Sequence, residues 1–279
     1  MSDLRPSGFQ AMPMVVKNLL IINGLLYLAT EVLQSTYGFD LSKYFGLFYF
    51  TSEYFKPHQL ITHMFMHGSL MHIFSNMFAL WMFGSVLENV WGPKRFLIFY
   101  LICGIGGALT HMAFTAYEIH LVQNDINQFF SSVNIANFKN LFETHQNLLS
   151  DSDYVTQLNT FLNQWAQNPG DASNILQAKI LAQKLTSMEA NIPVVGASGA
   201  VFGVLLAFGM LFPNTYLYLM FPPIPIKAKY FVMLYGAFEL YAGVSGTQAG
   251  VAHFAHLGGM LFGFILIRYW NKKRRQDFF

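Results

Sequence analysis

Four polar side chains in apolar surroundings could together perform nucleophilic chemistry. Ser198 stands in a Gly-Ala-Ser-Gly turn at 196–199, and His256 opens a second apolar stretch. His72 and Asn76 lie four residues apart in a third stretch, so a helix would place them on one face. A serine beside a histidine is a nucleophile with its general base, and two further donors could bind an oxyanion. This set of residues favours a serine protease that works inside a bilayer.

The composition of the chain supports a membrane location. Of the 279 residues, 54% are hydrophobic, 17% are aromatic and only 11% are charged. An ordinary soluble domain carries about 25% charged residues. The net charge of +2 is too small to indicate nucleic-acid binding. The single cysteine, Cys103, lies in an apolar segment, where a small core residue is expected.

Six apolar segments are predicted to span the bilayer as helices, which makes the chain an all-α polytopic membrane protein. A helix crosses a hydrocarbon core of about 30 Å with about 20 apolar residues. Pro213 ends the fourth segment early, so that helix should be short. The segments run over residues 14–33, 70–88, 96–114, 198–212, 230–244 and 251–270.

The positive charges predict the orientation of these helices. Lysine and arginine gather after the second and fourth segments and at the end of the sixth. These residues are Lys94, Arg95, Lys227, Lys229, Arg268 and 272–275. Six crossings put these three sites on one side together with the N-terminus. Basic residues favour the cytoplasmic side, so both termini are expected to be cytoplasmic, as in a bacterial inner (plasma) membrane protein.

The orientation places the four polar groups at a similar depth. Ser198 and His256 each stand about 21 Å of helix above the cytoplasmic ends of their segments. His72 and Asn76 stand about 24 and 18 Å above the end of theirs. All four groups therefore fall in one layer, below the outer surface of the membrane.

Glycine spacing predicts close contact between the fourth and sixth helices. Gly199 and Gly203 form one small-xxx-small face, and Gly259 and Gly263 form another. Such faces let helix backbones approach closely in lipid. If the two faces meet, Ser198 comes within hydrogen-bond reach of His256, which stands three residues before Gly259. A plain helix-packing motif, with the serine bonded to its own backbone, is the alternative.

These stretches together resemble the rhomboid family of intramembrane serine proteases. The matching residues are Gly196-Ala197-Ser198-Gly199, His256 with Gly259 and Gly263, and His72 with Asn76. The resemblance implies a six-helix bundle in which Ser198 is the nucleophile and His256 the general base and acid. It also implies an oxyanion site made by His72, Asn76 and the Ser198 backbone N–H, with Gly196 and Gly199 in support, and no cofactor.

The resemblance also implies that the histidine is oriented without an acid, by stacking on an aromatic ring one turn after the serine. Phe202 occupies that position, although a lipid-facing or core aromatic is an equal alternative. A zinc site is not expected, because no His-Glu-x-x-His motif occurs and no carboxylate stands beside the histidines in sequence. Glu239 lies towards the outer end of the fifth helix. An acid within a membrane segment is a functional-site hypothesis, but near the outer boundary a hydrated structural role is favoured.

Residues 117–191 form a polar insertion between the third and fourth helices. Helical spacing of Tyr154, Leu158, Phe161, Leu162 and Trp165 predicts one helix that ends at 168–170. Leu176, Ile180, Leu181, Leu185 and Met188 predict a second helix, with Ser173 as its cap. The insertion should lie outside the membrane, within one rhomboid-like domain over 1–279. Two roles are open for the insertion. It could be a substrate-docking lid over the site that contacts residues 44–55, or a passive insertion packed on the outer surface.

The sequence therefore predicts an endopeptidase whose partners are transmembrane protein substrates in the lipid bilayer. A catalytically inactive relative that binds membrane clients is the alternative, although such proteins typically lose the serine or the histidine. A transporter or channel would show internal repeats or a charged path at the midplane, and the sequence has neither.

Overall fold

The computed structural model describes residues 11–149, 152–218, 224–246 and 250–276. These residues form two units. The first takes in the described residues of 11–47, 56–111 and 193–276, and the second takes in those of 48–55 and 112–192.

Helices account for most of the described residues. The first half of the chain contains α1 (Met14–Tyr37), α2 (Ser42–Phe45), α3 (Gln59–Thr62), a 3-10 turn (His63–Phe65), α4 (Leu70–Ala79), a π-helical stretch (Leu80–Gly84), α5 (Ser85–Trp91) and α6 (Pro93–Ser131). The second half contains α7 (Ile135–Thr144), a 3-10 turn (Gln146–Leu148), α8 (Ser152–Gln167), α9 (Ala172–Ala190), α10 (Ser198–Leu211), β1 (Tyr216–Tyr218), β2 (Pro225–Lys227), α11 (Ala228–Ser245) and α12 (His253–Gln276). The two strands pair antiparallel, with Leu217 opposite Ile226.

The expected membrane segments are all helical. Among the described residues, Met14–Tyr37, Leu70–Trp91 and Pro93–Ser131 are long and apolar enough to cross a membrane, and Ser198–Leu211 is a shorter apolar helix. Helices α11 and α12 occupy the fifth and sixth segments with 18 and 24 residues. The prediction of an all-α membrane protein is confirmed.

The third segment differs from the prediction in its length. A helix end was expected near residue 114, but α6 continues to Ser131. Residues 112–131 contain no glycine or proline. The chain therefore has no residue that breaks a helix at the point where its composition turns polar.

Glu88 holds the start of α1. Its two carboxylate oxygens accept hydrogen bonds from the backbone N–H groups of Val15 and Val16, at 2.9 and 2.8 Å. These groups belong to the first turn of α1, where N–H groups lack partners inside the helix and a negative charge is stabilising. Glu88, near the end of the second membrane segment, therefore acts as a hydrogen-bond acceptor for the start of the first.

The second unit has its own aromatic core. The ring of Phe138 packs edge-on against Phe161 and Trp165, with ring centroids 5.6 and 5.7 Å apart. Trp165 and Phe138 are fully buried, as are Ile126, Ala178, Ala182 and Leu185. The apolar stripe predicted over residues 154–165 therefore forms a real helix, α8, and buries most of its large side chains in this core.

Helix α9 departs from its prediction in two ways. Its N-cap is Asp171, whose carboxylate accepts the Ser173 N–H at 2.9 Å, and Ser173 itself lies inside the helix. Leu176 and Ile180 were expected on the buried stripe, but they are 61% and 50% exposed. The helix instead buries Ala178, Ala182 and Leu185, which belong to the same core as the aromatic rings.

Residues 48–55 belong to the same unit as the insertion predicted at 117–191. The Tyr49 N–H donates to the Ala190 carbonyl at 3.4 Å. The Ser52 hydroxyl donates to the Asn191 side-chain oxygen at 2.6 Å. The chain segment that follows α9 is therefore tied to the segment that follows Leu47.

Candidate active site

The turn that carries Ser198 is built on a glycine and two histidines. Gly196 has a φ of 128°, a backbone conformation that residues other than glycine rarely adopt. Its N–H donates to the His63 carbonyl at 2.9 Å, and the Ala197 N–H approaches the His67 ring at 3.5 Å. Helix α10 begins at Ser198, so the Ser198 N–H is a first-turn donor without a partner inside the helix.

Ser198 and His256 are brought together by the two glycine faces. His256 Nε2 lies 2.8 Å from Ser198 Oγ. A Cβ atom added to Gly259 would overlap the carbonyl oxygen of Gly199, and one added to Gly263 would lie 3.4 Å from the Gly203 Cα. The backbones of α10 and α12 are therefore in direct contact, which sets the hydroxyl beside the imidazole.

Replacing Gly259 with alanine is expected to destabilise the protein. The added methyl group would overlap the Gly199 carbonyl, and overpacking of this kind costs roughly 1–3 kcal/mol. The thermal unfolding midpoint of the purified variant in detergent should therefore fall. Gly24→Ala is the matched control, since a Cβ there meets nothing within 4 Å and alanine favours a helix. Equal midpoints for the two variants would contradict the close contact of α10 and α12.

Phe202 stacks on the imidazole of His256. The ring centroids are 4.2 Å apart and the planes differ by 6°. The ring of Phe202 also contacts Tyr235 of α11, and the centroids of these two rings are 5.0 Å apart. Phe202 is thus a buried aromatic that also contacts the histidine. Stacking restricts the rotation of His256 and keeps its Nε2 directed at the serine.

His72 lies against the turn that precedes the serine. The backbone N–H of His72 donates a hydrogen bond to the side-chain oxygen of Ser69, which caps α4. A Cβ on Gly196 would lie 2.7 Å from His72 Nε2 and 3.5 Å from Ser198 Oγ. The imidazole therefore fills the space that the missing side chain leaves, close to the serine oxygen.

Asn76 presents a buried donor. The residue is 5% exposed, and within the part of the chain that the structure describes its Nδ2 has no hydrogen-bond partner. A buried amide left without a partner costs about 1–3 kcal/mol, so a site of this kind suits a group that arrives during a reaction.

Glu239 overturns two expectations. It was assigned a hydrated role, and no carboxylate was expected beside the histidines. In the structure Glu239 is 3% exposed, and its Oε2 lies 2.8 Å from His256 Nδ1 and 2.7 Å from His253 Nδ1. The carboxylate belongs to α11 and reaches the first turn of α12. The residues are far apart in sequence and on different helices, so the contact could not be predicted from spacing within one segment. A charged residue between Gly236 and Gly243 in an apolar helix was the signal that could have suggested it.

The same three residues are the candidate group for a metal ion. Among the described residues, Glu239, His253 and His256 offer ligand atoms within 4.8 Å of one another. Zinc held by nitrogen and oxygen at about 2.0–2.1 Å would separate tetrahedral ligand atoms by about 3.3 Å. The observed separations of 2.7 and 2.8 Å are instead those of charge-assisted hydrogen bonds.

Comparisons with known proteins give one family. A sequence model of the Rhomboid domain matches residues 54–122 and 172–272, which together are more than half of the chain. The unmatched residues 123–171 lie within the second unit.

Two relatives match a shorter stretch. Rhomboid protease GluP of Bacillus subtilis (strain 168) is 36% identical over 59 residues, which are 21% of this chain and 12% of that protein. RHOMBOID-like protein 12, mitochondrial, of Arabidopsis thaliana is 37% identical over 62 residues, which are 22% of this chain and 18% of that protein. The matches thus cover under a fifth of either relative.

Proposed function

Because the chain belongs to the rhomboid family, we propose that it is a serine endopeptidase that cleaves the transmembrane segments of other membrane proteins. The observation that carries the proposal is the contact of 2.8 Å between His256 Nε2 and Ser198 Oγ in an apolar helix pair. A hydroxyl in that contact can lose its proton as it attacks a carbonyl carbon.

The proposed reaction has two halves. Ser198 Oγ attacks the scissile carbonyl while His256 accepts the hydroxyl proton and then passes it to the departing amine. Water, deprotonated by the same imidazole, next hydrolyses the acyl-enzyme and restores the serine. No cofactor is required in this scheme.

The negative oxygen of each tetrahedral intermediate needs donors in a site of low dielectric. The Ser198 N–H, His72 and the Asn76 amide are the proposed donors. The unpartnered Nδ2 of Asn76 supports this role, because a donor whose bond forms only in the transition state lowers the barrier without tightening substrate binding.

The proposed substrates are single-span membrane proteins. A peptide bond inside a helix is shielded by the surrounding turns, so the substrate must unwind locally before Ser198 can reach it. Small side chains near the scissile bond and helix-weakening residues beyond it should therefore favour cleavage. Incubation of the purified protein with a labelled transmembrane substrate, followed by mass spectrometry of the products, tests the proposal. Binding without cleavage would favour the inactive, client-binding relative.

The protein is an integral membrane protein, and we propose that it lies in a bacterial inner membrane with both termini cytoplasmic. In intact cells, an impermeant thiol reagent should label Gln157→Cys, in α8, but should label Asn271→Cys, near the end of α12, only after permeabilisation. Both positions are exposed, whereas the native Cys103 is buried and should give little background. The reverse pattern of labelling would overturn the orientation.

A further inference from the structure

The carboxylate of Glu239 makes a second connection to the proposed base. Oε2 of this residue is shared by the Nδ1 atoms of His256 and His253, at 2.8 and 2.7 Å. All three side chains are buried, with exposed fractions of 3%, 5% and 8% for Glu239, His253 and His256. The Ser198–His256 pair is therefore continued by an acid from a third helix.

The packing of α11 on α12 creates this contact. A Cβ on Gly243 would lie 3.1 Å from the His253 Cβ, and one on Gly236 would lie 3.1 Å from the Met260 side chain. These two glycines stand on either side of Glu239 and let the helices approach. His253 and His256 are three residues apart, so they share the face of α12 that meets the acid.

The contact determines where the imidazole protons reside. An ionised carboxylate only accepts hydrogen bonds, so each histidine must direct a protonated Nδ1 at Glu239. Nε2 of His256 is then the unprotonated nitrogen and can accept the hydroxyl proton of Ser198. This is the tautomer that a general base requires.

The carboxylate is held by more than its bond to the base. A buried charge is strongly unfavourable unless donors surround it, and His253 supplies the second N–H. The histidines lie in the first turn of α12, where the positive end of the helix dipole also favours a negative charge. Glu239 can therefore remain ionised in a place where most carboxylates would be neutral.

We infer that Glu239 is a positioning residue that acts through His256, with His253 as the donor that keeps the carboxylate in place. The inference rests on the proposed protease function. It makes the site a serine, a histidine and a glutamate from three helices, with Phe202 stacked on the imidazole face. The acid selects the tautomer of His256 and stabilises the imidazolium formed when Ser198 gives up its proton.

Glu239→Gln is the decisive variant. The amide keeps the size of the side chain but removes the charge, and its NH2 group favours the wrong histidine tautomer. With a transmembrane substrate, kcat should fall on the order of 10- to 1,000-fold while KM changes little. The rate at which a fluorophosphonate probe labels Ser198 should fall by a similar factor. An unchanged kcat would overturn the inference.

Two further variants separate positioning from a structural role. Glu88→Gln alters a buried carboxylate that only holds α1, so it should lower stability without changing kcat per folded molecule. His253→Phe keeps an aromatic ring but removes the second donor. It should reduce kcat far less than Glu239→Gln does. Equal losses of stability in the Glu239 and His253 variants, with kcat retained in both, would mean that Glu239 only joins α11 to α12.

Failure of this inference can be told apart from failure of the proposed function. If Ser198→Ala abolishes cleavage but Glu239→Gln does not reduce it, the protease stands and the role of Glu239 is wrong. If the wild-type protein neither cleaves nor labels, the proposed function itself fails and the inference falls with it. One zinc ion per purified chain, lost in Glu239→Gln, would replace the hydrogen-bond interpretation with a metal site.

A measurement on the wild-type protein covers the case in which the Glu239 variants do not fold. Nitrogen-15 spectra of histidine-labelled protein in lipid should show His256 protonated at Nδ1 and unprotonated at Nε2. A signal from the opposite tautomer at His256 would overturn the inference without any substitution.

Discussion

Replacing Ser198 or His256 with alanine is expected to abolish cleavage of a transmembrane substrate while the protein remains folded in detergent. In the proposed mechanism the Oγ atom forms the covalent bond and the imidazole carries the proton, so the loss of either would remove the whole acyl-enzyme route. In serine proteases, losses of this kind are on the order of 10⁴-fold or more in kcat, and the two are not additive. The double variant should therefore be no slower than either single variant.

Ser85→Ala provides the matched control for this experiment. Ser85 is a buried serine in the same unit, 4% exposed, and it lies in α5. Its replacement should leave turnover unchanged. Cleavage retained by purified Ser198→Ala or His256→Ala would sink the serine-protease proposal, as would inhibition by a zinc chelator without inhibition by serine-directed reagents.

Asn76→Ala is expected to reduce kcat by roughly 10- to 1,000-fold with a smaller change in KM. Among the residues that the structure describes, the buried Nδ2 of Asn76 has no hydrogen-bond partner, so it is free to donate to the proposed oxyanion. Losing a bond that exists only in the transition state lowers kcat, whereas losing a ground-state contact would raise KM. His72→Ala should act in the same direction, because its ring lies against the Gly196 turn.

Asn23→Ala is the control for the oxyanion variants. Asn23 is a fully buried asparagine of the same unit, and its Nδ2 already donates to the Leu19 carbonyl at 2.8 Å. Its removal should affect unfolding and leave kcat per folded molecule unchanged. Turnover numbers that are unchanged in both Asn76→Ala and His72→Ala would remove these residues from the mechanism.

Local spacing was enough to predict most of the helices. Periodic apolar residues specify a helix through contacts three and four positions apart, and this information lies within each segment. The positions at which helices begin and end were predicted less accurately. Helix α6 runs past residue 114 because no proline or glycine interrupts it, and Asp171 caps α9 because the backbone first becomes helical after that residue. An end depends on which of several polar residues has the required backbone angles.

The spacing of residues along the chain predicted the pairing of Ser198 with His256, with a plain helix-packing motif as the alternative. Glycines four apart follow each residue at a short distance, so any close contact of the two faces must bring the side chains together. The depth of each group follows from the rise of a helix, which is the same in every segment. These quantities depend on counting along a chain, and the structure reproduces the contact at 2.8 Å.

The residue that contacts His256 Nδ1 could be identified only from the packing of the helices. Glu239 lies 17 positions before His256, on a different helix, and the rotation of α11 about its axis sets which side chains meet α12. That rotation results from packing at Gly236 and Gly243, and no periodicity within one segment records it. A buried carboxylate is tolerable only where donors from another element surround it, and those donors come together only when the helices pack.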